Sequence, residues 1–400
     1  MSNPTDIRER LPELIEKVYP RIVEIRRTIH QNPELSGQEY ETAKFVYSTL
    51  ASWGFRPQYH LKKTAVSLRQ VNGKGPTVVL RADMDALPLQ EENRVPYASA
   101  KKGVMHACGH DMHTAILLGA VKVLGELRDS WKGTLVFLFQ PSEEEEPGGA
   151  YGLIKSGAFP KDANAVFGLH VSADHKTGTV GVKEGYDYAG VLTFDVTVKG
   201  RGGHGATPET SVDPIVCASA MIMQLQTIVS REKPSFEPAV LTVGFIQSGT
   251  LRNIIPDTAV FKGTLRTHSE ELRDFFQKRI RDALKQTALS YRASADITFE
   301  KSYPPGFNNP DLTRRSEEVF RDYFGGGNVV RRSVPSMYAE DFARYQQLVP
   351  GLYIYLGVRP PGKKKMEGIH SPRFLPDETA IKTGIASHVL FAGEVMGGQG

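Results

Sequence analysis

Apolar side chains recur along this chain at two spacings, and the texture changes near residue 186. Residues 5–30 carry the period of an amphipathic helix, and Ser36-Gly37-Gln38-Glu39 has the capping-box pattern, opening a second predicted helix that runs to Trp53 and stops at Gly54. Short β-rich runs follow at Thr64–Val71 and Thr77–Leu80, the second leading into Arg81-Ala82-Asp83-Met84-Asp85. Thr114–Arg128 is apolar at helical spacing, with Asp111 placed to cap it. Leu135–Phe139 is a continuous apolar strand, a helix is expected from about Gly149 to Ser156, and the strand Ala165–Leu169 ends at His170. Strands apolar throughout, alternating with helices, predict an α/β domain whose mainly parallel sheet is covered by helices on both faces.

Beyond Tyr186 the period drops to two. Val191–Lys199 alternates strictly, as a half-exposed antiparallel strand does, and Gly200-Arg201-Gly202-Gly203-His204-Gly205 reads as a turn. A helix over Asp213–Ser230, strands over Val240–Gln247 and Thr258–Thr267, a helix over Glu270–Ser290 and a strand over Asp296–Lys301 complete a β-α-β-β-α-β order. That order predicts an inserted ferredoxin-like α+β domain over residues 186–301, with the first domain discontinuous over 1–185 and 302–400. One face of so small a sheet is solvated or paired with another copy, so this domain is expected to serve as a lid and to dimerise. The return holds a buried strand at Leu352–Leu356, the loop Gly368-Ile369-His370-Ser371-Pro372 and a closing helix over Glu378–Met396.

Composition changes this picture little. Four hundred residues exceed what one core serves, in keeping with two domains. The net charge of +4 is thin for the length, and the densest basic run, Lys363-Lys364-Lys365, reads as a solvated loop, which disfavours nucleic acid as a partner. MSNPTDIRERLPELIEK lacks the apolar segment of a secretory signal, no apolar run is long enough for a bilayer, and two cysteines make no disulfide framework. A cytoplasmic protein with no membrane partner is the expectation.

The chemistry gathers where predicted strands end. Met105-His106-Ala107-Cys108-Gly109-His110-Asp111-Met112-His113 places a thiol and an imidazole two residues apart, a chelate for a borderline-soft metal. Asp83, Asp85, Glu143, Glu144 and His170 each fall just past a strand, where functional groups collect in parallel sheets. Glu143 and Glu144 follow the rigid Gln140-Pro141, so one carboxylate can bind metal while its neighbour faces water as a base. Asp83 and Asp85 fit either a turn or, for Asp85, support of a histidine ligand, and His370 alone fits a loop or a ligand equally. Cys108, His110, Glu144, His170 and His370 are too many ligands for one tetrahedral catalytic zinc. Two ions roughly 3.5–4 Å apart, sharing a water, would accommodate them.

The motifs RADMDALP, MHACGHDMHTA, FQPSEE, GLHV, GRGGHGATPE, RNIIPD, AEDFA and GIHSPRF, with the opening HQNPELSGQE, resemble those of the hippurate hydrolase group. That group comprises N-acyl-amino-acid amidohydrolases and related carboxypeptidases, including the indole-acetyl-amino-acid hydrolases. The resemblance covers essentially the whole chain. It implies two divalent ions per subunit (zinc, manganese or cobalt) held by Cys108, His110, Glu144, His170 and His370. Glu143 would be the general base, with Asp85 and His113 supporting the ligands and Asp111 as helix cap or support. It implies a catalytic domain with a dimerising lid, whose His204 would steady the oxyanion in the partner subunit's site. Asn253 and Arg266 would hold the substrate's polar end, though Arg266 could equally be structural, and Glu340 would border the pocket. The substrate implied is an N-acyl amino acid, with carboxypeptidase or dipeptidase action, or mere capture of acylated amino acids, as alternatives. Relatives carry two glutamates followed by glycines where this chain runs four together. Anchoring on Gln140-Pro141 makes Glu143 the base and Glu144 the ligand, whereas a slip of one moves those roles to Glu144 and Glu145.

Overall fold

The computed structural model describes residues 4–397; the first three residues of the charged opening stretch lie outside the described residues. The chain begins with helices α1 (Pro4–Gln31) and α2 (Tyr40–Ser52) and strands β1 (Gln58–His60), β2 (Ala65–Asn72) and β3 (Thr77–Asp83). Then come α3 (His110–Glu126), β4 (Gly133–Gln140), α4 (Gly149–Lys155), β5 (Ala163–Lys176) and β6 (Val180–Val182). A different run follows: β7 (Gly190–Lys199), α5 (Pro214–Thr227), β8 (Ala239–Ser248), β9 (Thr258–Thr267), α6 (Glu270–Ser290) and β10 (Ser294–Lys301). The chain closes with α7 (Pro310–Phe324), β11 (Val329–Arg331), β12 (Gly351–Arg359) and α8 (Ala380–Gly397).

These elements form two compact units, one holding Met1–Gly185, Phe307–Val334 and Arg344–Gly400, the other Tyr186–Gly306 with Pro335–Ala343. The first contains an eight-stranded sheet in the order β1-β2-β4-β3-β5-β12-β6-β11. Its central pairings β4–β3, β3–β5 and β5–β12 are parallel, while β2–β4 and β12–β6 are antiparallel. Every residue of β3 and β4 is buried, which is why their sequences run apolar instead of alternating. Helices α1, α3 and α8 pack together, and their apolar faces share one core with the sheet.

The second unit has a four-stranded antiparallel sheet in the order β8-β9-β7-β10, the ferredoxin-like arrangement. Its core lies between the sheet and α5 and α6, with Phe194, Phe261 and Phe276 buried. Edge strand β8 leaves Val240, Phe245 and Ile246 exposed. Among the described residues no helix is long and apolar enough to cross a membrane.

Three local expectations are corrected. Helix α3 begins at His110, so Asp111 lies inside its first turn and is not the cap, a place taken by Gly109. Strand β5 does not end at His170 but continues to Lys176, because the backbone there pairs with β12 as far as Arg359. Helix α2 starts at Tyr40 with no side-chain cap, so Ser36 and Glu39 form no capping box and are engaged elsewhere.

Candidate metal centre

The first unit gathers its ligand-type side chains at one end of the parallel strands. Gly109 turns the chain at φ 85 between Cys108 and the first residue of α3, and a Cβ there would meet Val171 Cγ2 at 2.5 Å. That turn puts Cys108 and His110 on either side of one bend. Cys108 Sγ lies 3.3 Å from His170 Nε2. The loop after β12 returns His370, which adopts φ 63 and is tied down by its N–H donating to Ala107 O (2.8 Å). His370 Nε2 then approaches Glu144 Oε1 to 3.2 Å.

Second partners fix the tautomers. His110 Nδ1 donates to the Asp85 carbonyl (2.9 Å) and lies 3.1 Å from Asp85 Oδ1, leaving a buried Nε2 with no hydrogen-bond partner among the described residues. His170 Nδ1 donates to Val171 O (2.8 Å), so its Nε2 lone pair faces Cys108. His113 differs, with Nδ1 donating to Asp83 Oδ1 (2.6 Å) and Nε2 accepting from Val171 N–H (3.0 Å). Both of its nitrogens are spent on holding β5 to β3 and α3. Asp83 also accepts from Arg81 (2.6 Å), and Arg81 donates to Gln140 beside the glutamate run.

The electrostatics match a site built for cations. Burial and the nearby Glu144 and Glu143 push the Cys108 thiol well above its ordinary value, so a thiolate there requires a positive neighbour. Burial lowers His170 to about 3, keeping it in the neutral form that binds metal. Burial also opposes charge on His110, but Asp83, Asp85 and Glu144 outweigh it and push it up to about 10. Carboxylates thus favour a positive charge at the outward Nε2, which lacks a hydrogen-bond partner among the described residues and where a metal ion would take the place of the proton. The donor set fits divalent metal.

Ligand atoms within 4.8 Å of one another form two triads that share Cys108: one with His110 and His170, the other with Glu144 and His370. A third joins His110, Glu143 and Glu144. Glu143 is buried, Glu144 is partly so, and Glu145 and Glu146 point to solvent. Asp85 ties the ends together, its Oδ2 accepting from Ser36 Oγ (2.7 Å) and Glu144 N–H (2.9 Å). Asp111, fully buried, meets His30 Nδ1 and Arg26 Nε at 2.7 Å each. Burial opposes its charge, yet Arg26 and His30 hold it well below the usual carboxylate range.

In the second unit, His204 is exposed on a two-residue strand paired with Ile254–Ile255, and its Nδ1 accepts from Ala206 N–H (3.1 Å). Gly205 N–H donates to Asn253 O (2.8 Å), so the His204 turn and Asn253 are neighbours. Arg266 lies on β9 opposite Val191 and Val240. Glu340 is buried, its Oε1 accepting from Phe342 N–H (3.0 Å). The residues missed at the sequence level are Arg26, His30, Ser36 and Glu39. The first two are two of many polar residues on a long helix, and the last two matched a cap pattern that hid their reach.

A buried cluster of thiol, imidazoles and carboxylates, gathered where β3 and β4 end and part-way along β5, has the donor set of a metalloenzyme. Residues 79–394 match the model of Peptidase family M20/M25/M40, and the chain belongs to that family of peptidases and amidohydrolases. It is 37% identical to Thermostable carboxypeptidase 2 of Saccharolobus solfataricus, over 97% of this chain and 98% of that one. It is 40% identical to the N-acetyl-L-cysteine deacetylase of Bacillus subtilis, over 93% and 88%. Among solved structures, the dinuclear metal-binding M20 peptidase YXEP of Bacillus subtilis superposes with a TM-score of 0.84 at 32% identity, covering 96% and 99%.

Proposed function

We propose that the chain hydrolyses N-acyl or N-aroyl amino acids to a carboxylic acid and a free amino acid. Two divalent ions would be held by Cys108, His110, Glu144, His170 and His370. The observation that carries this reading is the pair of triads sharing Cys108, with the buried Glu143 beside Glu144. Bound zinc, manganese or cobalt supplies Lewis acidity, polarising a carbonyl and making water nucleophilic near neutral pH.

Glu143 takes the proton of the attacking water and delivers it to the leaving amine. Asp85 and Asp83 hold His110 and His113 in the tautomers described above. His204 acts in trans, stabilising the oxyanion at the other subunit's centre. Asn253 and Arg266 hold the substrate carboxylate, for which an Arg fork is suited, and Glu340 borders the pocket. The second unit serves as lid and dimerisation domain; exposed Val240, Phe245 and Ile246 on an edge strand support a homodimer. A second reading, carboxypeptidase or dipeptidase action at the same centre, is favoured by the similarity to the Saccharolobus enzyme.

The test is Glu143→Gln. Turnover of acyl amino acids is expected to fall by at least about 10²-fold, with metal content near wild type. Preserved activity would overturn the assignment and move the base to Glu144. A panel of acetyl, aroyl and fatty-acyl amino acids with dipeptides, assayed with each metal, separates the two substrate readings.

A further inference from the structure

We infer that Glu39 is a positioning residue that sets the register of the glutamate loop. The inference rests on the reading of Glu143 as base. Ser142 adopts φ 54, a left-handed conformation that side chains other than glycine disfavour. It is held there from outside its own loop. Glu39 Oε1 accepts from Ser142 N–H (2.8 Å), lies 3.4 Å from Ser142 Oγ, and accepts from Gly37 N–H (2.9 Å). The loop closes behind it through Gly149 N–H donating to Ser142 O (2.9 Å).

Glu144, on the far side of Glu143, is pinned through Asp85, which Ser36 Oγ also engages. The segment Ser36–Glu39 therefore reaches both neighbours of Glu143, one directly and one through Asp85. The chain turns left-handed at Ser142, so Glu143 is the residue turned inward, while Glu145 and Glu146 remain in solvent. A run of four glutamates offers several registers, and Glu39 selects one.

The experiment uses the full chain with metal content measured on each preparation and N-acyl amino acid turnover as readout. Glu39→Ala is expected to lower kcat by about 10²-fold, the cost of a catalytic group displaced by about an ångström, with KM and metal stoichiometry unchanged. Glu39→Gln keeps the Oε1 acceptor and should return kcat to within about fivefold of wild type by the same positional argument. Adding Ser142→Gly to Glu39→Ala should recover part of the loss, because glycine adopts the left-handed turn unaided.

Unchanged kcat in Glu39→Ala overturns the proposal. So does a loss that tracks metal content or melting temperature and is untouched by Ser142→Gly. Should Glu39→Ala not fold, Glu39→Asp withdraws the acceptor by one methylene and should cost about tenfold in kcat; no change there is equally fatal. If Glu143→Gln is itself active, the base assignment fails. If Glu143→Gln is dead and Glu39→Ala is not, only the positioning role fails.

Discussion

Gly109 holds the left-handed turn between two of the proposed ligands, Cys108 and His110. Alanine there would carry about 1–2 kcal/mol of left-handed strain and about 1–3 kcal/mol of overpacking against Val171. Gly109→Ala is expected to be destabilised by that order and to bind less metal, checked by denaturation and elemental analysis. His388 offers a pH test on a residue outside the proposed ligand set. It is buried edge-on to Phe167, neither ring nitrogen has a partner among the described residues, and burial lowers it to about 3. The unfolded chain takes up a proton near pH 6.5 and the folded one does not, so stability falls as pH drops from about 6.5 toward 3. His388→Leu removes this penalty. Between pH 7 and 5 its stability relative to wild type should improve by about 2 kcal/mol, measured by urea denaturation at both values. Cys108 and His110 are legible from their spacing and Glu144 and His170 from the apolar runs before them, whereas His370, alone in its loop, joins them only through the family's motif. Sequence reading could not see Glu39 or Arg26, since nothing in an isolated Glu or Arg tells which distant backbone or carboxylate it will meet.

Between elements, the decisive contact is the crossing of α3 and α8. A Cβ on Gly119 would strike Ile385 Cδ1 at 2.4 Å, and one on Gly384 would strike Ile116 Cδ1 at 2.6 Å. Each helix thus seats an isoleucine on the other's glycine, drawing α3, which begins with His110, close to its neighbour. Gly384→Val should cost about 1–3 kcal/mol. Ile116→Ala in the same chain should show a coupling of about 0.5–3 kcal/mol in a double-mutant cycle; strict additivity would refute the mutual packing. The periodicities made the helices and buried strands legible, with Thr258–Thr267 and Glu270–Ser290 reproduced residue for residue. Ends were less legible where tertiary pairing decides them. Strand β5 runs on past His170 because β12 lies alongside, and no local pattern announces a partner so distant in the chain.

At the scale of the whole molecule, self-association and catalysis are expected to be linked. Mixing inactive Glu143→Gln and His204→Ala subunits should restore part of the activity, because hybrid dimers pair one intact base with one intact His204. No recovery after verified exchange would remove the role in trans. Phe245→Lys with Ile246→Asp on the edge of β8 should shift the light-scattering mass to that of a monomer and lower turnover with it. The seating of β12 beside β5 also bears on how the protein is born. Residues 166 and 351 are register partners, so a ribosome working at about 5–20 residues per second leaves that flank of β5 bare for roughly ten to forty seconds. The four long strands of the second unit are all translated within that interval. A nascent chain carrying one finished body and one open apolar edge is a natural client for chaperones, and slower, cooler expression should raise the yield of soluble enzyme.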